Sequence, residues 1–121
     1  MKTFNRIAAQ GEITLIRVGD LTGDTPKGYS PLETENGKLV IGHSETGHHH
    51  VMEPSTAKAY VADTAPEGMR ILRLIVEKPT VLEHLRGHDT HEPLMVQPGE
   101  YDVRIAREYD PYAELARRVA D

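Results

Sequence analysis

The chain has no cysteine, no tryptophan and a single phenylalanine, Phe4, among 121 residues. The missing thiols exclude a disulfide framework and any thiolate metal site, so a bound metal must be held by nitrogen and oxygen ligands. The missing aromatics leave isoleucine, leucine, valine, methionine and five tyrosines to build the core, and leave few rings on which nucleic-acid bases could stack. Cationic excess is lacking too: 14 basic residues stand against 19 acidic ones, a net charge of −5, and the basic residues are scattered. That balance argues against nucleic-acid binding through a basic face. The chain has no long apolar run, stretches such as Leu74-Ile75-Val76 being three or four residues at most, so neither a spanning segment nor a secretion signal is expected. These absences together fit a cytoplasmic protein of one domain, residues 1–121, with one modest core.

What the chain does have is β-pattern punctuated by turns. Residues 12–18, 38–41, 48–53, 57–62, 69–77, 80–84, 94–96 and 101–105 are rich in β-branched or alternating residues and read as strands. Asn36-Gly37 supplies the positive φ angles of a tight turn, and Pro98-Gly99 marks a second turn between two alternating strands. Residues 21–36 carry two glycines and two prolines and read as a loop. Residues 69–77 have Leu72, Leu74 and Val76 on one face and Ile71 and Ile75 on the other, as in a central strand, with Arg73 requiring solvent or a carboxylate at its middle. Asp110-Pro111 is a good helix start, with Asp as N-cap and proline at the first helical position, and predicts a helix over about 111–120. The expected fold is mainly β, a small antiparallel barrel or sandwich with a C-terminal helix.

The functional signal is histidine. All seven histidines fall between His43 and His91, in two groups centred on His48-His49-His50 and His88-Asp89-Thr90-His91. Imidazole is the commonest protein ligand for borderline transition metals. In a strand His48 and His50 share a face while His49 points away. In a turn His88 and His91 can converge, so His48, His50, His88 and His91 form the candidate metal set. His43, His49 and His84 are assigned to supporting, surface or packing positions, with His84 the best substitute ligand. Zinc is the default metal. If one coordination position holds water, its pKa falls toward neutrality, and Glu45 or Glu92 becomes the candidate base of a metal-dependent hydrolase. No G-x-S-x-G elbow, P-loop, dinucleotide fingerprint or H-E-x-x-H motif is present.

Two resemblances bear on this reading. His48-x-His50, Glu53 and a later histidine resemble the ligand set of cupins, small β-barrels that hold a metal through two histidines, a glutamate and a third histidine. The spacing from His50 to Glu53 is shorter here. A wider likeness rests on residues 11–18, Thr46-Gly47-His48-His49-His50, the His88 to His91 group before Pro93-Leu94, Pro98-Gly99-Glu100-Tyr101 and Arg107-Glu108-Tyr109-Asp110-Pro111. In these the chain resembles a family of small uncharacterised proteins of phages and bacterial genomes. That likeness implies that the T-G-H-x-H and H-x-x-H elements belong to one pattern, and that a phage or prophage setting fits.

The expectations differ in class. The first is a β-rich metalloprotein acting on a small molecule as a hydrolase. The second is a non-catalytic phage-associated structural or host-interaction protein, self-associating or bound to another protein, with a structural metal or none. The third is a cupin-like binding module for a small anion that switches with histidine charge. An absence of membrane attachment is common to all three.

Overall fold

The computed structural model describes residues 2–10, 13–42, 49–84 and 93–106. Eleven strands are found among them and no helix. In chain order they are β1 (Lys2–Thr3), β2 (Ile7–Gln10), β3 (Ile13–Gly19), β4 (Tyr29–Pro31), β5 (Leu39–Gly42), β6 (His50–Met52), β7 (Ala57–Ala62), β8 (Met69–Val76), β9 (Thr80–His84), β10 (Leu94–Val96) and β11 (Gly99–Ala106). They form a five-stranded sheet in the order β1-β10-β9-β6-β5 and a six-stranded sheet in the order β2-β3-β11-β8-β7-β4. All pairings are antiparallel except that of β1 with β10. The architecture is therefore a two-sheet sandwich, not a closed barrel. The expected helix over 111–120 lies outside the described residues.

Alternation decides which side chains meet between the sheets. From the larger sheet Ile13, Leu15, Ala57, Ala59, Leu72, Leu74, Val76, Tyr101, Val103 and Ile105 enter the core, and from the smaller Leu39, Ile41, Met52, Leu82, Leu94 and Val96. Among the described residues Tyr101 is the one large aromatic buried there, with Phe4 packed edge-on against it at 5.8 Å. A core of aliphatic side chains is what a chain without tryptophan and with one phenylalanine can build.

β8 lies between β7 and β11, as its two-faced apolar pattern predicts. Arg73, the exception in that pattern, does meet carboxylates: its guanidinium donates to Asp102 at 3.0 Å and lies 3.7 Å from Glu100, both on β11. The Asn36-Gly37 turn has positive φ at both residues and is closed by reciprocal backbone hydrogen bonds between Glu35 and Lys38. Three strands depart from the sequence expectation. β1 and β2 precede the first expected strand, and β4 forms within the expected loop, where Tyr29 and Ser30 pair with Ala62 and Val61. Its proline is tolerated because β4 is an edge strand. The strand expected over 48–53 is described as β6 over His50–Met52. The Pro98-Gly99 turn joins β10 and β11, which lie in different sheets, so the chain crosses the sandwich there instead of making a hairpin.

The two ends of the sandwich are closed by different polar groups. At one end Arg17 donates to the Pro98 carbonyl at 2.8 Å and to the Tyr101 hydroxyl at 3.1 Å. At the other, Gln10, His50 and His84 sit beside Ile13 and Gly42.

Candidate functional site

β5 and β6 form a hairpin in which Gly42 pairs with His50, after a register shift between Val40 and Gly42. β6 then pairs with β9 so that His50 stands opposite His84. On β6, His50 and Met52 face the interior; on β9, Leu82 and His84 do. The two imidazoles thus occupy the last inward-facing positions of neighbouring strands. Their rings stack with centroids 4.1 Å apart and planes 2° from parallel. His50 is 1 % exposed and His84 is half-buried.

Gln10, at the end of β2, holds this pair from the opposite sheet. Its Nε2 donates to the Leu82 carbonyl at 3.0 Å, and its Oε1 lies 2.8 Å from His50 Nδ1. A peptide carbonyl can only accept, which orients the amide with nitrogen toward Leu82 and oxygen toward His50. That oxygen can only accept in turn, so His50 Nδ1 carries the hydrogen. In the neutral ring the lone pair is then on Nε2, the atom a metal or a proton donor would meet.

Gly42 completes the wall. A Cβ built on it would lie 2.7 Å from Ile13 Cδ1 and 3.3 Å from His50 Cδ2, so a larger residue would press on the Ile13 side chain and, more lightly, on the ring.

The registers bring several connections to this end. Residues 43–49 run from Gly42 to His50, and residues 85–93 run from His84 to Leu94, which pairs with Leu82. Gln10 and Ile13, which flank residues 11–12, are paired here, and Ile13 pairs with Ile105 near the close of β11. The two histidine-bearing stretches are therefore anchored on adjacent strands of one sheet, at the same end.

Of the proposed metal set, His50 is described and stands at this end. His48, His88 and His91 lie outside the described residues, as do Glu45 and Glu92, His43, and Arg107-Glu108-Tyr109. His49, the residue before β6, is half-buried. Among the described residues no group of three or more metal-ligating side chains is assembled. His84, the substitute ligand, is beside His50, but stacked rings place their lone pairs in parallel planes. One ion at zinc–nitrogen distance, about 2.0–2.1 Å, cannot lie in both planes. In this arrangement His84 walls the His50 ring and does not share an ion with it.

Two carboxylates near the histidines in sequence point elsewhere. Glu83 pairs with Val51 on the face turned away from His50, and Glu53 is exposed and ion-paired with Lys38. The glutamate that the cupin likeness would place on the metal is thus on the outer surface. Gln10 was invisible to a reading by spacing, being 40 positions from the ring it holds. Its one sequence signal is a polar side chain closing an otherwise small and apolar strand.

The other polar cluster is at the opposite end. Glu100 accepts hydrogen bonds of 2.8 Å from both the backbone nitrogen and the hydroxyl of Thr22, and these bonds hold its carboxyl below the ordinary value of 4.5, with Arg73 adding to the effect. Every member of this cluster is engaged in holding strands and loop together, which is a structural assignment. No described helix is long and apolar enough to cross a membrane.

No curated protein and no solved structure matches the chain. A family model described as a domain of unknown function, DUF8820, matches residues 9–106, a span that includes Gln10, His50, His84 and both histidine-bearing connections; the chain belongs to that family.

Proposed function

We propose that the protein binds one divalent transition metal, zinc by default, at the histidine-bearing end of the sandwich. In this reading His50 Nε2 is the ligand supplied by the sheet, and His48, His88 and His91 are supplied by the two connections. The observation that carries it is the common anchorage: the 43–49 and 85–93 connections start and finish beside the paired His50 and His84. His88 is four residues from His84 and His91 two from Pro93, so about 14 Å and 7 Å of extended chain are available to bring each back to the His50 ring. A neutral imidazole with its second nitrogen already hydrogen-bonded is the usual form of a metal-ligating histidine.

The catalytic extension of the proposal is hydrolysis of an ester, amide or phosphodiester. Three histidines and a water would complete a four-coordinate zinc ion, acidifying that water, and Glu45 or Glu92 would accept its proton. Four histidines would instead close the sphere and make the metal a structural staple.

Thermal unfolding with and without zinc tests the binding. A ligand that binds only the folded state at 100 times its Kd stabilises by about 2.7 kcal/mol, which for a domain of this size raises Tm by several degrees. The expected result is such a rise in the wild type and its loss in His50→Ala and His91→Ala. An unchanged Tm across zinc concentrations contradicts the reading. Zinc uptake with turnover that disappears in Glu45→Gln or Glu92→Gln supports hydrolysis; zinc uptake without turnover leaves the structural staple.

A further inference from the structure

The Gln10–His50 contact carries an inference about which atom of the site is reactive. We infer that Gln10 is a positioning residue that fixes the His50 tautomer, holding hydrogen on Nδ1 and presenting Nε2 to whatever occupies this end of the sandwich. The inference concerns the same site as the proposed metal centre, but its first half, the tautomer, stands without any metal.

Three features make Gln10 more than a space-filling polar group. It comes from the larger sheet and reaches across the end of the core to two strands of the smaller one, touching the Leu82 carbonyl on β9 and the His50 ring on β6. It is 2 % exposed, so bulk water does not compete for either bond. Its orientation is set by the Leu82 carbonyl and not by the ring, because reversing the amide would put Oε1 against a carbonyl oxygen and Nε2 against His50. The chain of donors therefore runs in one direction, from the His50 Nδ1 hydrogen to Gln10 Oε1 and from Gln10 Nε2 to the backbone.

The ring itself has little freedom to choose otherwise. The His84 imidazole lies flat against one face at 4.1 Å, and Gly42 lies beside the Cδ2 edge. A rotation that exchanged Nδ1 for Cδ2 would break the bond to Gln10 and push a ring carbon against its amide oxygen. Supporting partners that fix a ligand's tautomer in this way are typically worth about 10–100-fold in metal affinity.

The test is long-range proton–nitrogen correlation NMR on metal-free, nitrogen-labelled protein at about pH 8, above the ordinary histidine range. The wild type is expected to show His50 with Nδ1 protonated and Nε2 unprotonated. Gln10→Leu is expected to lose that preference, and Gln10→Glu, which gives up the donor to the Leu82 carbonyl but keeps an acceptor oxygen opposite Nδ1, to keep hydrogen on Nδ1. Zinc affinity should fall by about 10–100-fold in Gln10→Leu and be largely restored in Gln10→Glu.

A wild-type His50 with hydrogen on Nε2 overturns the inference, and that measurement alone decides if Gln10→Leu fails to fold. An unchanged tautomer in a folded Gln10→Leu overturns it as well. The expected tautomer with no zinc uptake upholds the inference and overturns the metal reading, so the two fail separately.

Discussion

At the scale of single residues, the Glu100 carboxylate makes the clearest link between geometry and stability. Bonds from Thr22, with Arg73 nearby, favour its charged form and lower its pKa on folding. A carboxyl depressed in this way contributes stability that is fully present above the unfolded-state value and is lost as pH falls through the folded-state value. The protein should therefore lose stability below about pH 4.5. Glu100→Gln should flatten that part of the profile and cost about 1 kcal/mol at neutral pH, since hydrogen bonds to a charged acceptor exceed those to a neutral one. Urea unfolding of both forms between pH 3 and 7 checks this, and parallel pH profiles would contradict it. At this scale the sequence was partly legible. Arg73, the one charge in an apolar row, could be predicted to need solvent or a carboxylate, and it meets Asp102 and Glu100; the shared face expected of His48 and His50 involves a residue outside those described. Gln10 could not be found, because what makes it important is a contact across the sandwich.

At the scale of elements, β8 and β11 were readable because both run eight residues with an apolar inner row, and alternation is a local property. β1 and β4 were not. Each is two or three residues long and exists because a neighbouring strand offers it an edge, which is a tertiary fact. The crossing of Pro98-Gly99 between sheets was equally hidden, since a turn signal does not say which sheet the next strand joins. Glycine at 99 is required there: its φ is +150°, and a Cβ would lie 2.3 Å from the Arg17 guanidinium. At Gly42 the clash is with Ile13 and the His50 ring. Gly42→Ala should destabilise by about 1–3 kcal/mol, the usual cost of overpacking a closed site, and should displace the His50 ring signals in NMR. Thermal unfolding checks the first part; a neutral substitution would mean that Ile13 moves aside freely. In the shared core, Leu74 is fully buried on the central β8, and Leu74→Ala should cost about 2–5 kcal/mol in the same assay.

At the scale of the whole molecule, the sandwich carries a different polar cluster at each end. The Arg17, Tyr101 and Glu100 end ties a loop and a sheet crossing to the core, with every group engaged in holding backbone or neighbouring side chains. At the histidine end the 43–49 and 85–93 connections, far apart in sequence, leave and rejoin adjacent strands of one sheet. Antiparallel pairing of β6 with β9 sets His50 opposite His84 and anchors the 43–49 and 85–93 connections on adjacent strands. What the sequence did not disclose is that His84 stacks on His50 and so forms a wall of that ring. The family to which the chain belongs has no stated function, so the site has to be judged by its own chemistry.

The central claim is that histidines from both connections and from β6 hold one metal ion. Elemental analysis by inductively coupled plasma mass spectrometry on untagged protein, with His50→Ala and His91→Ala alongside, tests it most directly. Close to one zinc, iron or manganese ion per chain is expected in the wild type, with a large loss in both variants. Folded wild-type protein that carries no metal and cannot be loaded would contradict it.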